Sequence, residues 1–177
     1  LYRMQCLAAL KSQQLPQGYL AAGFLRNAIW DKLHGFKKPT PLNDIDVIYY
    51  NPSDTSKESE LHIENALSAQ VPSAHWQVKN QARMHVKHGH NAYKDCEEAI
   101  SYWIEQETCV AIRLCPNEEG DKFDMLAPYG LSRNFAGTIS INPRYPRGDV
   151  FTQRVHSKNW LVTWPQLTLG SALVGSI

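Results

Sequence analysis

Ala22-Gly23-Phe24-Leu25-Arg26-Asn27, followed further along by Asn43-Asp44-Ile45-Asp46-Val47, decides the reading of this chain. A small-residue turn opens a helix, and a carboxylate pair then heads an apolar run. In an extended strand, residues i and i+2 point to the same side, so Asp44 and Asp46 are expected to face one way while Ile45, Val47 and Ile48 help bury the strand. Adjacent carboxylates repel each other and lose solvation unless a cation joins them. A hard divalent cation meets that need, held by oxygen ligands and carrying phosphate oxygens on its far side. Phosphoryl or nucleotidyl transfer is therefore the leading expectation. A bare Asp-x-Asp is a weak motif, since the same pattern caps turns and decorates exposed strands. Its setting strengthens it. Ala22-Gly23 stands at a helix start, where backbone N–H groups can cradle phosphate. Arg26 falls in the first helical turn, where the dipole disfavours a cation and suggests a task for it.

The 177 residues suffice for one domain with a real core. Apolar content of 43 % and charged content of 20 % describe an ordinary globular chain and exclude disorder. A formal net charge of +1 argues against the dominant basic surface of a non-specific nucleic-acid binder and leaves room for a local patch. No apolar run has the length of a membrane span, and no signal peptide is visible. Cys6, Cys96, Cys109 and Cys115 show no metal or disulfide framework and read as reduced thiols, which points to the cytoplasm.

Helices and strands are expected to alternate. Apolar positions at Met4, Leu7, Ala8 and Leu10 predict a helix over 2–13, broken at Pro16-Gln17-Gly18. A second helix runs from Gly23 to the His34-Gly35 stop. Strand 44–50 follows. Thr55-Ser56-Lys57-Glu58 then has the spacing of a capping box for a helix to about Ala69. A strand is expected over 75–81, and a helix opening at Asp95 with Ala99, Ile100, Trp103 and Ile104 on its apolar face. Strands 109–114 and 122–126 form a hairpin about the turn 117–120. A helix over 150–161 packs Trp160 and Trp164 back onto the body. The expected class is α/β (α+β), a mixed sheet flanked by helices. One domain over 1–177 is expected, with 143–177 a helical or irregular extension packed on it.

Together these residues resemble the nucleotidyltransferase superfamily that includes DNA polymerase β, poly(A) polymerase and the CCA-adding enzymes. The CCA-type pattern G-G-x-V-R-D followed by D-x-D is matched by Ala22-Gly23-Phe24-Leu25-Arg26-Asn27 and Asp44-Ile45-Asp46. Leu33-His34-Gly35 falls where that family carries Leu-x-Gly. More closely, the chain looks like a small bacterial group of uncharacterised nucleotidyltransferase-like proteins. The matching segments include Trp76-Gln77-Val78-Lys79-Asn80-Gln81-Ala82-Arg83-Met84-His85 and Ala127-Pro128-Tyr129-Gly130-Leu131, and the resemblance spans about 18–164. It departs from the pattern at Ala22, which replaces a glycine, and at Asn27, which replaces an acid.

The resemblance implies a nucleotidyltransferase-like fold and a two-metal arrangement in which Asp44 and Asp46 would hold Mg²⁺ (or Mn²⁺). A nucleoside triphosphate would be gripped by Ala22, Gly23, Arg26 and Asn27, with pairing to an acid in the core the alternative for Arg26, and its monophosphate moved to a hydroxyl acceptor that is a small molecule, a protein or RNA. A third carboxylate usually completes such a site. Asp124 is the choice, since Phe123-Asp124-Met125 has apolar-acid-apolar form on an expected strand, and a solvent-facing hairpin residue is the plain alternative. Asn80 occupies another place where that acid could stand, and would then weaken catalysis. Lys79 and Arg83 are candidates for phosphate or acceptor contact, with ordinary ion pairing the rival. The alternative function is a catalytically weakened nucleotide- or RNA-binding or regulatory module on the same fold.

His85, His88 and His90 lack the fixed ligand set zinc requires and read as loop residues. Tyr102, Trp103, Tyr145, Trp160 and Trp164 offer stacking surfaces, with Trp103 read as core. Arg144, Arg147 and Arg154 read as a charged face. No Walker-type, G-x-S-x-G or H-E-x-x-H motif occurs.

Overall fold

The computed structural model describes residues 1–170; the end of the expected C-terminal extension, 171–177, lies outside the described residues. Five strands form one sheet in the order β3-β2-β1-β4-β5. They are β1 (Tyr19–Ala21), β2 (Ile45–Tyr49), β3 (Trp76–Asn80), β4 (Ala111–Leu114) and β5 (Phe123–Leu126). β2 and β3 are parallel, with Asp46 opposite Gln77; the other neighbours are antiparallel, with Ala21 opposite Asp46 and Ala111. Strand alternation sorts the side chains. Leu20, Ile45, Val47, Tyr49, Trp76 and Val78 bury one face of the sheet beneath α1 (Tyr2–Ser12) and α3 (Lys57–Gln70), which supply Cys6, Leu7, Leu10 and Leu67. Tyr19, Ala21, Ile48 and Ala111 belong to the other face, which Cys96 and Ile100 of the short helix α5 (Cys96–Ile100) cover in part. Asp46, Gln77 and Lys79 share that second face, and there the sheet opens into a cleft.

α2 (Gly23–Leu33) leaves β1 through Ala22, and its buried Trp30 nucleates a separate core. Phe151 and Val155 of α7 (Gly148–Ser157), Trp160 of α8 (Trp160–Thr163), Trp164 and Leu167 complete that core. The Trp30 ring meets Trp160 at 5.7 Å and Trp164 at 5.1 Å, both edge-on, the arrangement favoured by aromatic quadrupoles. Smaller elements finish the described chain: α4 (His85–His88), α6 (Ser132–Ala136), 3-10 turns over Gln81–Arg83 and Gln106–Thr108, and a parallel pair of two-residue strands, β6 (Thr138–Ile139) and β7 (Thr168–Leu169).

Several local expectations need correction. The helix cap falls on Ser56, one residue after the capping-box reading. Asp54 takes hydrogen bonds from the Ser56 amide and the Ser59 hydroxyl, which shifts the register. α5 ends at Ile100 rather than continuing through Trp103 and Ile104, because the Ser101 carbonyl is captured by the Tyr129 hydroxyl and the Asn142 amide. The helix expected over 150–161 is two helices, split at Asn159, which adopts a left-handed conformation with φ 53°. His85 to His88 is helical, not loop. Cys6, Cys96 and Cys109 are buried free thiols and Cys115 is partly exposed. No helix among the described residues is long and apolar enough to cross a membrane.

Candidate active site

The cleft encloses about 630 Å³ between the second sheet face, α2 and the α7–α8 pair. The turn into α2 forms one corner. Ala22 has φ 56° and ψ −120°, a backbone state that glycine adopts without strain and alanine does not. Its amide donates to the Val110 carbonyl at 2.8 Å, and its own carbonyl accepts from the Leu25 and Arg26 amides. The next residue is closely covered: a Cβ on Gly23 would stand 3.2 Å from Arg26 Nη2 and 3.3 Å from Asn27 Nδ2, so those side chains would have to shift by a few tenths of an ångström to admit one. Those two side chains fold back over the turn, and Arg26 Nε donates to Asn27 Oδ1 at 3.1 Å.

Arg26 is buried. Its Nη1 donates to Thr108 Oγ1 at 2.9 Å, and its guanidinium lies 5.0 Å from the Trp30 ring centre and 4.7 Å from that of Trp160. Burial pushes its pKa down to about 10, which leaves it cationic at neutral pH. Opposite it, Arg154 of α7 donates to buried Glu105 at 2.8 Å and lies 5.7 Å from the same Trp160 ring.

Asp44 and Asp46 both line the cleft. Asp44 precedes β2, is about half exposed at 51 %, and accepts from His75 Nδ1 at 2.6 Å. Asp46 lies on β2 and is more buried. Burial raises its pKa, and the neighbouring Asp44 charge raises it further, while Arg26, Lys158 and Arg154 pull it back. The loop before the pair is pinned from α2: buried Asp31 accepts from the Thr40 amide at 2.8 Å, the Thr40 hydroxyl at 2.5 Å and Trp164 Nε1 at 2.8 Å.

Of the other sequence candidates, Lys79 lines the cleft and is exposed. Arg83 does not line it; Nε and Nη2 grip Glu60 at 2.8 Å and 2.7 Å. Asp124 does not line it either; it accepts from Arg113 at 2.9 Å and from the Tyr19 hydroxyl at 3.0 Å, on the far side of β1. Asn80 faces away and spends its amide on the backbone of Asn51, Asp54 and Ala82. Among the described residues, no three His, Cys, Asp or Glu side chains gather as a metal-binding group. Sequence reading missed Glu105, Thr108 and Lys158, and took Arg154 for surface. One signal was available: Arg154 and Lys158 stand one helical turn apart, beside the inward Phe151 and Val155.

Five cationic side chains (Arg26, Lys79, Lys87, Arg154 and Lys158) line the cleft against three carboxylates (Asp44, Asp46 and Glu105). The chain as a whole is nearly neutral, so cations are concentrated here. Two adjacent oxygen-donor groups can hold a hard divalent cation whose other positions are filled by water and substrate phosphate.

The fold is that of a nucleotidyltransferase head domain. A solved structure described as revealing a CCA-adding enzyme head domain superposes with TM-score 0.79 at 32 % identity, over 94 % of this chain and 88 % of that one. The family model described as Nucleotidyltransferase matches residues 8–169, and the chain belongs to that family. A structure of a tRNA-processing enzyme complex and one of an apo tRNA-processing enzyme share the fold at TM-scores 0.56 and 0.54, with 12 % and 13 % identity. This chain spans only 43 % of each of them. No curated protein matches it.

Proposed function

We propose that this nucleotidyltransferase moves a nucleoside monophosphate from a nucleoside triphosphate to a hydroxyl-bearing acceptor with release of pyrophosphate. One observation carries the reading: Asp44 and Asp46 share a cleft with the Gly23 turn and a surplus of cations. Membership of the family supports the reaction class. The carboxylate pair suits Mg²⁺ or Mn²⁺, because Asp46 already bears the electrostatic strain of Asp44 beside it, which a cation relieves. Such ions are commonly held by one or two carboxylates together with substrate phosphates, which agrees with a two-acid site. When bound, the ion would orient the triphosphate and stabilise charge on the transferring group.

The remaining work falls to the chain. The Gly23 turn and the start of α2 hold terminal phosphates through backbone amides. Arg26, fixed between Trp30 and Trp160, supplies a positive charge that cannot swing away. Arg154 and Lys158 approach from α7, and Lys79 from β3. The acceptor is a small molecule, a protein or RNA.

In the test, purified protein is screened with labelled triphosphates and Mg²⁺ or Mn²⁺ for pyrophosphate release. The Asp44→Asn/Asp46→Asn variant is expected to lose at least about a hundredfold, the scale of removing metal-borne stabilisation of transition-state charge. Equal binding of Mg²⁺-nucleotide by wild type and variant would refute the reading. A second reading, a nucleotide-binding module of weakened chemistry, is favoured by the placement of Asp124, which Arg113 and Tyr19 hold outside the cleft. It predicts aspartate-dependent nucleotide binding without pyrophosphate release.

A further inference from the structure

Gln81 stands where β3 ends, in a 3-10 turn over Gln81–Arg83. It is 2 % exposed and lines the cleft. Its Nε2 donates to the Lys79 carbonyl at 3.3 Å, which fixes the orientation of the amide. Oε1 has no hydrogen-bond partner among the described residues. A buried acceptor left unpaired costs stability, and such groups mark places where a partner arrives from elsewhere.

Aromatic rings line the same cleft as Gln81. His88 and Tyr145 line the same cleft, and so does Tyr102. His88 is exposed, stacks on His90 at 5.3 Å and meets Tyr145 edge-on at 5.8 Å. Tyr102 is held by Tyr93, stacked at 5.4 Å, and by the Arg144 guanidinium at 5.1 Å. These rings are locked against one another, so a further ring can stack with little loss of side-chain freedom.

Position matches chemistry. Gln77 lies opposite Asp46, and three residues of extended strand, roughly 10 Å at the usual rise, separate it from Asn80, after which the turn places Gln81. That is about the reach of a nucleotide from its phosphates to the edge of its base. We infer that Gln81 reads the base of the incoming nucleotide, accepting a hydrogen bond from a ring or exocyclic N–H, while His88 offers a stacking face. The inference rests on the nucleotide reading of the cleft.

The experiment is calorimetric titration in Mg²⁺ of two ligands: inorganic tripolyphosphate, and whichever of the four common ribonucleoside triphosphates binds most tightly. Wild type is expected to prefer the nucleotide. Gln81→Met and the exposed change His88→Ala are each expected to weaken nucleotide binding about tenfold, the scale of one hydrogen bond or one stacked ring, with tripolyphosphate affinity unchanged. Gln81→Met removes the unpaired acceptor and also the bond to the Lys79 carbonyl, so the ratio of nucleotide to tripolyphosphate affinity, and not the unfolding midpoint, is the readout that a purely structural glutamine would leave unchanged. Variants that weaken both ligands equally, or neither, overturn the base subsite. If tripolyphosphate binding still needs Asp46 in that case, the reading of the cleft survives. Binding indifferent to Asp46→Asn overturns both.

Discussion

Ala22 holds a conformation that its Cβ opposes, at the bend that delivers α2 to the cleft. The nucleotidyltransferase pattern places glycine there. Strain of this kind is worth about 1–3 kcal/mol, against roughly 0.4–1 kcal/mol that glycine loses through a freer unfolded chain. Ala22→Gly is therefore expected to stabilise the protein by about 1 kcal/mol, raising the unfolding midpoint by roughly 2–4 °C in calorimetry. Asp46 presents the opposite balance. Its folded pKa lies above the ordinary carboxylate value, so the native state binds its proton more tightly than the unfolded chain does. Stability is then lost as pH rises from the unfolded pKa through the folded one, and stays lost above it. In metal-free buffer, Asp46→Asn is expected to melt higher than wild type at pH 7, the gap closing as pH falls below the carboxylate range. Asp44 and Asp46 were legible as a pair because alternation along a strand is written in sequence. Gln81 was not, since an unpaired amide oxygen exists only once its surroundings are built.

At the level of elements, periodicity and stop signals revealed α1, α2, α3, β2, β3 and the β4–β5 hairpin. β1 escaped notice although it is the central strand. It has three residues, all buried, and so shows no alternation. The hairpin also explains the placement of Asp124. Its register sets Asp124 opposite Arg113, and the central position of β1 brings Tyr19 to the same carboxylate. This pair is partly exposed, at 22 % and 40 %, and such pairs contribute about 0–1 kcal/mol. Asp124→Asn is accordingly expected to keep pyrophosphate-releasing activity within about twofold and shift stability by less than about 1 kcal/mol. Retained activity separates it from the Asp44 and Asp46 variants; a hundredfold loss would restore Asp124 as a ligand. α8 has a different weight. Trp160 is buried, packs on Trp30 and flanks both Arg26 and Arg154. Trp160→Ala is expected to cost about 3–5 kcal/mol in denaturant titrations and to weaken tripolyphosphate binding with it, because both guanidinium groups lose their plate.

Across the whole molecule, the parts of the cleft come from distant stretches of chain. β2, α3 and β3 follow one another and can pair locally, whereas Ala21 meets Ala111 and Arg26 reaches Thr108. Trp30 is covered from the far end of the described chain, by Phe151, Val155, Trp160, Trp164 and Leu167. Contacts that join remote segments form late, since the intervening loop must first be closed. Synthesis runs from the N-terminus at about 5–20 residues per second, and domains fold as units. A chain emerging from the ribosome thus exhibits its acid pair well before Trp160 has left the exit tunnel. Until then Arg26 has only one of its two aromatic neighbours, and Arg154 and Lys158, two of the five cations of the cleft, reach the acid pair only as Trp160 itself emerges.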